Sequence, residues 1–187
     1  MARSTATTRC VAFLKGINVG GHRVKMDRLR EIFAAMDLAD VTTFIASGNV
    51  LFDAPATRDR AEIERAIEAH LHQTLGYEVA TFVRTPSELA GIAAFQPFAP
   101  DDMNGEGHTV HVGFLREPLD ETRSQAMLAF RTAMDEFRVD GREFYWLCRG
   151  KTTDSLVSWP RVSRSVKAET TMRNMTMIRK LAAITTP

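Results

Sequence analysis

At 187 residues with 44% apolar and 25% charged side chains, the chain reads as one domain, or two small subdomains, able to bury a core without staples. A formal net charge of +1 excludes a whole-surface electrostatic pull towards nucleic acid or membrane. No run approaches the ~18 apolar residues of a membrane-spanning helix, and Met1 to Arg9 lacks the apolar centre of a signal peptide, so a cytoplasmic location is expected.

Residues 9–17 alternate and then run apolar, which predicts a central strand. A glycine loop leaves it: Lys15-Gly16-Ile17-Asn18-Val19-Gly20-Gly21-His22-Arg23-Val24-Lys25. Met26, Leu29, Ile32, Phe33 and Met36 recur at helical spacing and predict an amphipathic helix over 26–37. Val41 to Ala46 is β-branched and aromatic, a strand. Ser47-Gly48-Asn49 is a tight turn, and Val50-Leu51-Phe52 begins the returning strand. Ile63, Ile67, Leu71 and Leu75 repeat every four residues in a helix that Asp59 and Glu62 open as a capping box and Gly76 closes. Residues 78–84 alternate as a fourth strand. The order β-α-β-β-α-β is that of the ferredoxin-like split βαβ motif.

Thr85, Pro86 and Glu88 form a strong helix start. Residues 96–107 hold two prolines and two glycines and read as a linker between a first subdomain, 1–95, and a second, 108–187. His108 to Arg116 predicts a strand. Pro118 to Glu136 predicts a helix with Met127, Phe130, Met134 and Phe137 inward. Asp140-Gly141 predicts a hairpin turn between Arg138-Val139 and the strand Glu143 to Cys148. Residues 149–160 are polar and irregular, Arg161–Ala168 suits a short basic helix, and Met175, Ile178, Leu181 and Ala182 support a last helix begun near Thr171 or Asn174. From Arg149 onward, eight Lys and Arg (149, 151, 161, 164, 167, 173, 179, 180) face two acids, Asp154 and Glu169. The expected class is α+β with mainly antiparallel sheets and C-terminal helices.

Three stretches carry chemistry-bearing residues. Gly16 and Gly21 have the spacing of a Walker A loop, but His22 and Arg23 stand where Lys and Ser/Thr are needed, so a P-loop NTPase is excluded. What remains is generic: backbone N–H groups freed by glycine, a helix start, and the cations Lys15, His22, Arg23 and Lys25, all suited to an anion. The plainer alternative is a turn with a solvated basic face. Ser47-Gly48-Asn49 offers a hydroxyl and an amide, which an ordinary turn also needs. Thr170-Thr171-Met172-Arg173-Asn174 reads as a capped helix start, with Arg173 suited to bidentate contact with phosphate or carboxylate.

Other signals are weaker. His70-x-His72 on a helix and His108-x-x-His111 on a strand place their rings on different faces, so no metal site is expected. Cys10 and Cys148 sit in apolar runs and read as buried free thiols. Tyr145 and Trp146 are adjacent on a strand, so they point to opposite faces: the plainer reading is core plus a helix-covered face, and the alternative is an outward ring that could stack on a base. Trp159-Pro160 reads as part of a contact loop.

The run Phe13-Leu14-Lys15-Gly16-Ile17-Asn18-Val19-Gly20-Gly21, followed by Val24-Lys25-Met26, resembles the N-terminal signature of the bacterial domain of unknown function (DUF) family 1697. Ser47-Gly48-Asn49-Val50 is similar to its second motif. Thr170 to Asn174 resembles its C-terminal Thr-Thr-Arg-Asn motif, with Met172 inserted. The resemblance implies two ferredoxin-like subdomains and no established activity. The chain departs from the family's Gly-x-Gly-Arg-Ser-like stretch, which only Arg164-Ser165 could represent.

The expectation is a binding protein for an anionic ligand, either a phosphate-bearing small molecule or nucleic acid. Its contacts would come from Lys15, Gly16, Asn18, Gly20, Gly21, Lys25, Ser47, Gly48, Asn49, Arg173 and Asn174. One alternative is an enzyme acting on a phosphorylated or acyl substrate, for which His22, Asp27 and Ser47 are the available groups. Another is a protein–protein module or homo-oligomer. No motif names a cofactor, and no membrane partner is expected.

Overall fold

A computed structural model describes residues 6–18, 20–45 and 48–185. The chain forms two compact units, one running to Leu89 and including the chain from Ile184, the other spanning Ala90–Ala183.

The first unit contains β1 (Thr7–Leu14), α1 (Met26–Ala34), β2 (Ala39–Thr43), β3 (Asn49–Pro55), α2 (Arg60–Leu75) and β4 (Thr81–Arg84). Its sheet order is β2-β3-β1-β4, every pair antiparallel. The period of two sends Cys10, Ala12 and Leu14 of β1, with Val50, Phe52 and Ala54 of β3, to one face. There they meet Leu29, Ile32 and Phe33 of α1 and Ile63, Ile67 and Leu71 of α2. The capping box of Asp59 and Glu62 opens α2, and Gly76 closes it in the left-handed region at φ 81°. Two α2 carboxylates cover the edge of β4: Val83 N–H donates to Glu64 Oε1 at 2.8 Å and Thr81 N–H to Glu68 Oε1 at 2.8 Å. Those donors are thereby withheld from strand-to-strand pairing with another chain.

Two short helices, α3 (Pro86–Ala94) and α4 (Pro100–Met103), come next. Thr85 builds the start of α3 as its sequence suggests, exchanging hydrogen bonds with Glu88. The second unit then repeats the plan with β5 (His108–Phe114), α5 (Glu121–Leu128), β6 (Asp135–Asp140), β7 (Glu143–Arg149), α6 (Trp159–Val166) and β8 (Thr171–Asn174). The last helix is α7 (Met175–Thr185). The order β6-β7-β5-β8 is the same permutation as in the first sheet. Both halves are therefore α+β units of split βαβ topology.

Several expectations need correction. The helix expected over 118–136 is only α5. Asp120 caps it by accepting the Arg123 N–H at 2.8 Å, and the chain turns at Thr132, whose Oγ1 accepts the N–H groups of Met134 and Asp135. The Asp140-Gly141 hairpin carries its register back to Asp135, opposite Cys148, so 135–140 is strand. Met127, Phe130, Met134 and Phe137 do join one core, but only Met127 does so from a helix.

Thr171 to Asn174 forms β8, which occupies the open edge of β5, so of the two expected helix starts the one near Thr171 fails and the one near Asn174 holds. The helix begins at Met175, and Asn174 Oδ1 accepts the Thr176 N–H at 2.8 Å. Tyr145 and Trp146 are both buried, at 1% and 4% exposure, so neither offers an exposed ring. Trp159 is not in a loop: it opens α6 and packs edge-on against Trp146 at 5.0 Å. Both cysteines are free and buried.

Candidate functional site

The glycine loop grows out of β1 where that strand is gripped on both sides. Leu14 N–H donates to Gly48 O and Lys15 N–H to Ala80 O, each at 2.8 Å. The chain then reverses through Gly16, Gly20 and Gly21, at φ 73°, 65° and 90°. Glycine takes that left-handed conformation without the penalty a Cβ brings.

Four contacts fix the loop from inside. Ile17 is buried, Tyr77 donates its hydroxyl to Ile17 O at 3.1 Å, and Val24 N–H donates to Asn18 Oδ1 at 2.7 Å. The His22 ring stacks on Tyr77 with centroids 3.9 Å apart. Outward remain Lys15, Gly20, Gly21, His22, Arg23 and Lys25, all exposed. No acid occurs between residues 15 and 25. The loop runs straight into α1, where the N-cap residue Lys25 supplies no side-chain cap. The helix therefore presents its positive end beside the cations.

The structure brings the second sequence motif to this loop. A Cβ on Gly48, which has φ 70°, would lie 2.8 Å from Ile17 Cγ2 and 3.2 Å from Leu14 Cβ. Gly48 thus allows the β2–β3 turn to close against the loop. Asn49 is buried and its amide donates to Phe44 O at 3.0 Å, while Phe44 N–H donates to Asn49 O at 3.0 Å. Asn18 and Asn49 act here as braces of the backbone. Ser47 and Val19 lie outside the described residues. Ile45, expected inside the strand Val41 to Ala46, lies beyond the end of β2 at Thr43, exposed and left-handed at φ 55°. A β-branched residue seldom takes that conformation, so this turn holds local strain.

Arg173 and Asn174 belong to the second unit. Arg173 donates to Thr171 Oγ1 at 2.9 Å and to Met172 O at 2.8 Å. Burial pushes its guanidinium down to about 10. Of the groups considered for acid–base chemistry, Asp27 is ion-paired to Arg30 and His22 stacks on Tyr77. Burial, then Glu88 and Asp53, push the Cys10 thiol up to about 11, which disfavours the thiolate a nucleophile requires.

The family described as protein of unknown function (DUF1697) matches residues 7–145. The chain belongs to the DUF1697 family. That match takes in the glycine loop and the Ser47–Val50 turn, and stops before Thr170–Asn174. The fold of this DUF1697 chain is similar to that of a conserved bacterial protein from Streptococcus pneumoniae. The TM-score is 0.68 at 18% identity, over 96% of this chain and 98% of the other. No curated protein matches the chain. Among the described residues no helix is long and apolar enough to cross a membrane.

Sequence reading also missed a cavity of the second unit lined by Arg131, Ser158, Arg161 and Ser165. The excess of Lys and Arg after Arg149 was the available signal. Extending α5 through Arg131 hid the place where that residue turns out.

Proposed function

We propose that this DUF1697 protein binds an anionic, phosphate-bearing ligand through its glycine loop. The observation carrying this reading is the acid-free stretch Lys15–Lys25, with four exposed basic side chains leading into an α1 start that Lys25 leaves uncapped. Lys15, Arg23 and Lys25 supply charge. Gly16, Gly20 and Gly21 let backbone N–H groups turn towards a ligand. Gly48, Asn49 and Asn18 hold the loop in shape, and Ser47, next to Gly48 in sequence, is proposed as a further contact residue. In the second unit, and separately from the glycine loop, Arg173 and Asn174 are proposed as anion-contact residues of their own. Loops braced in this way lose little conformational freedom on binding, which favours affinity.

A thermal-shift series with inorganic phosphate, sugar phosphates and nucleotides tests the reading. A ligand at about one hundred times its Kd adds about 2.7 kcal/mol to the folded state, a rise of roughly 5–10 °C for a chain of this size. The Lys15→Ala/Lys25→Ala variant should lose that rise. No shift with any member of the series, with the variant indistinguishable from wild type, sinks the proposal. If the anion is a nucleic acid backbone, affinity for a short oligonucleotide should fall linearly in log–log against salt, with a slope near the number of phosphates contacted.

A further inference from the structure

Two cavities of the second unit share Ala129, Arg131 and Thr132 and differ in charge. The larger, about 690 Å³, also reaches Asp135, Glu136, Arg138 and Arg149. Two of its cations are already engaged. Arg149 lies 2.7 Å from Asp102 and 2.6 Å from Glu136, and Arg138 lies 2.7 Å from the other Glu136 oxygen. An anion entering there meets carboxylates.

The smaller cavity, about 470 Å³, has no carboxylate among its described lining residues. Arg131 and Arg161 are both exposed in its wall. Neither side chain has an ion-pair or hydrogen-bond partner among the described residues. Ser158 and Ser165 add hydroxyls. Phe130 and Val157 provide apolar surface, and Leu156 stands 87% exposed beside them. A leucine so exposed next to two unpaired guanidinium groups is surface a ligand with an apolar body would cover.

The walls are held in place by packing. Val162 and Val166 bury one face of α6 at 4% and 1% exposure, with Trp159 wedged against Trp146 at 5.0 Å. Arg161 and Ser165, four residues apart, therefore share another face, which lines the cavity. Across it, Phe130 packs partly into the core and Thr132 Oγ1 donates to Asp135 Oδ2 at 2.7 Å, which fixes the backbone on either side of Arg131.

We propose that this cavity binds a small amphiphilic anion. The head group, of the phosphate or sulfonate kind, is held by Arg131, Arg161 and the serine hydroxyls. An aromatic or short acyl body lies on Phe130, Val157 and Leu156. The volume lies within the ~300–1,000 Å³ of small-molecule sites. This site shares no residue with the glycine loop.

The test titrates the full chain with the aromatic anion 1-anilinonaphthalene-8-sulfonate, using the uncharged dye N-phenyl-1-naphthylamine in parallel. Saturable fluorescence is expected with the anionic dye. Arg131→Gln/Arg161→Gln should weaken it about tenfold or more, the loss of one to two charge-assisted contacts, and should leave the uncharged dye within about twofold. Phenyl phosphate should displace the anionic dye at concentrations where inorganic phosphate does not. Arg65→Gln, an exposed charge on α2, should titrate like wild type. Far-UV circular dichroism and Tm confirm that the double variant folds. Binding of the anionic dye within about twofold of wild type by the double variant overturns the proposal. So does equal loss of both dyes, or an absence of saturable binding.

Discussion

Replacing Gly48 with alanine tests whether the β2–β3 turn and the glycine loop are one packed unit. Two costs add. The left-handed φ of 70° penalises a residue with a Cβ by about 1 kcal/mol. The new Cβ would also fall 2.8 Å from Ile17 Cγ2 and 3.2 Å from Leu14 Cβ. Those two side chains are 3% and 2% exposed, so they have little room to retreat, and overpacking adds about 1–3 kcal/mol. A total near 3 kcal/mol is expected. In urea, with a slope of about 2 kcal/mol/M, the midpoint should fall by about 1.5 M. Gly48→Asn separates the two costs, because asparagine tolerates the left-handed region but carries the same Cβ. It should recover only the dihedral part, about 0.5–1 kcal/mol. Ile17→Ala in the Gly48→Ala background should relieve the overlap and show coupling of about 1 kcal/mol or more in a double-mutant cycle. A loss below about 1 kcal/mol for Gly48→Ala, or additivity with Ile17→Ala, would refute the close approach and with it the bracing of the loop.

Asp135→Ala should cost about 3 kcal/mol in chemical denaturation, because the buried carboxylate accepts from Trp146 Nε1, Ser155 Oγ and Thr132 Oγ1, and its removal leaves three donors unmatched. The Trp146 fluorescence should shift at the same time. The Asp102 carboxyl is held below its ordinary range chiefly by its hydrogen bonds from Arg149. The stability it contributes is present above the ordinary carboxylate range and lost as pH falls through the lower folded value. Asp102→Asn should flatten that acid limb of the stability–pH curve, and an unchanged limb would contradict the assignment. In Ellman titration near pH 8, native protein should show almost no reactive thiol, and both cysteines should react after unfolding. Cys10 is raised to about 11 and Cys148 is also raised, each chiefly by burial.

The elements with local signals were legible in the chain. The capping box at Asp59, the cap at Thr85 and the Asp140-Gly141 hairpin each rest on contacts within a few residues, and each is in place. The glycine loop could be located for the same reason, since three glycines before a helix announce a reversal. Errors arose where a segment's partner is distant. Phe130, Met134 and Phe137 fit a helical spacing because their burial is real, yet β7 draws 135–140 into strand. Thr171–Asn174 lacks enough length to declare itself as a strand, and only the open edge of β5 makes it one.

The site divides the same way. Which residues are basic, which are glycines and which helix they precede follow from the order of amino acids, because charge and backbone freedom are properties of single residues. That Gly48 closes against Ile17, that Tyr77 reaches back to Ile17 O across 60 positions, and that Arg131 and Arg161 share one cavity wall were decided only by the folded chain. Those contacts join segments far apart in sequence. Packing selects them through the sum of many small burials, and no local stretch carries that sum.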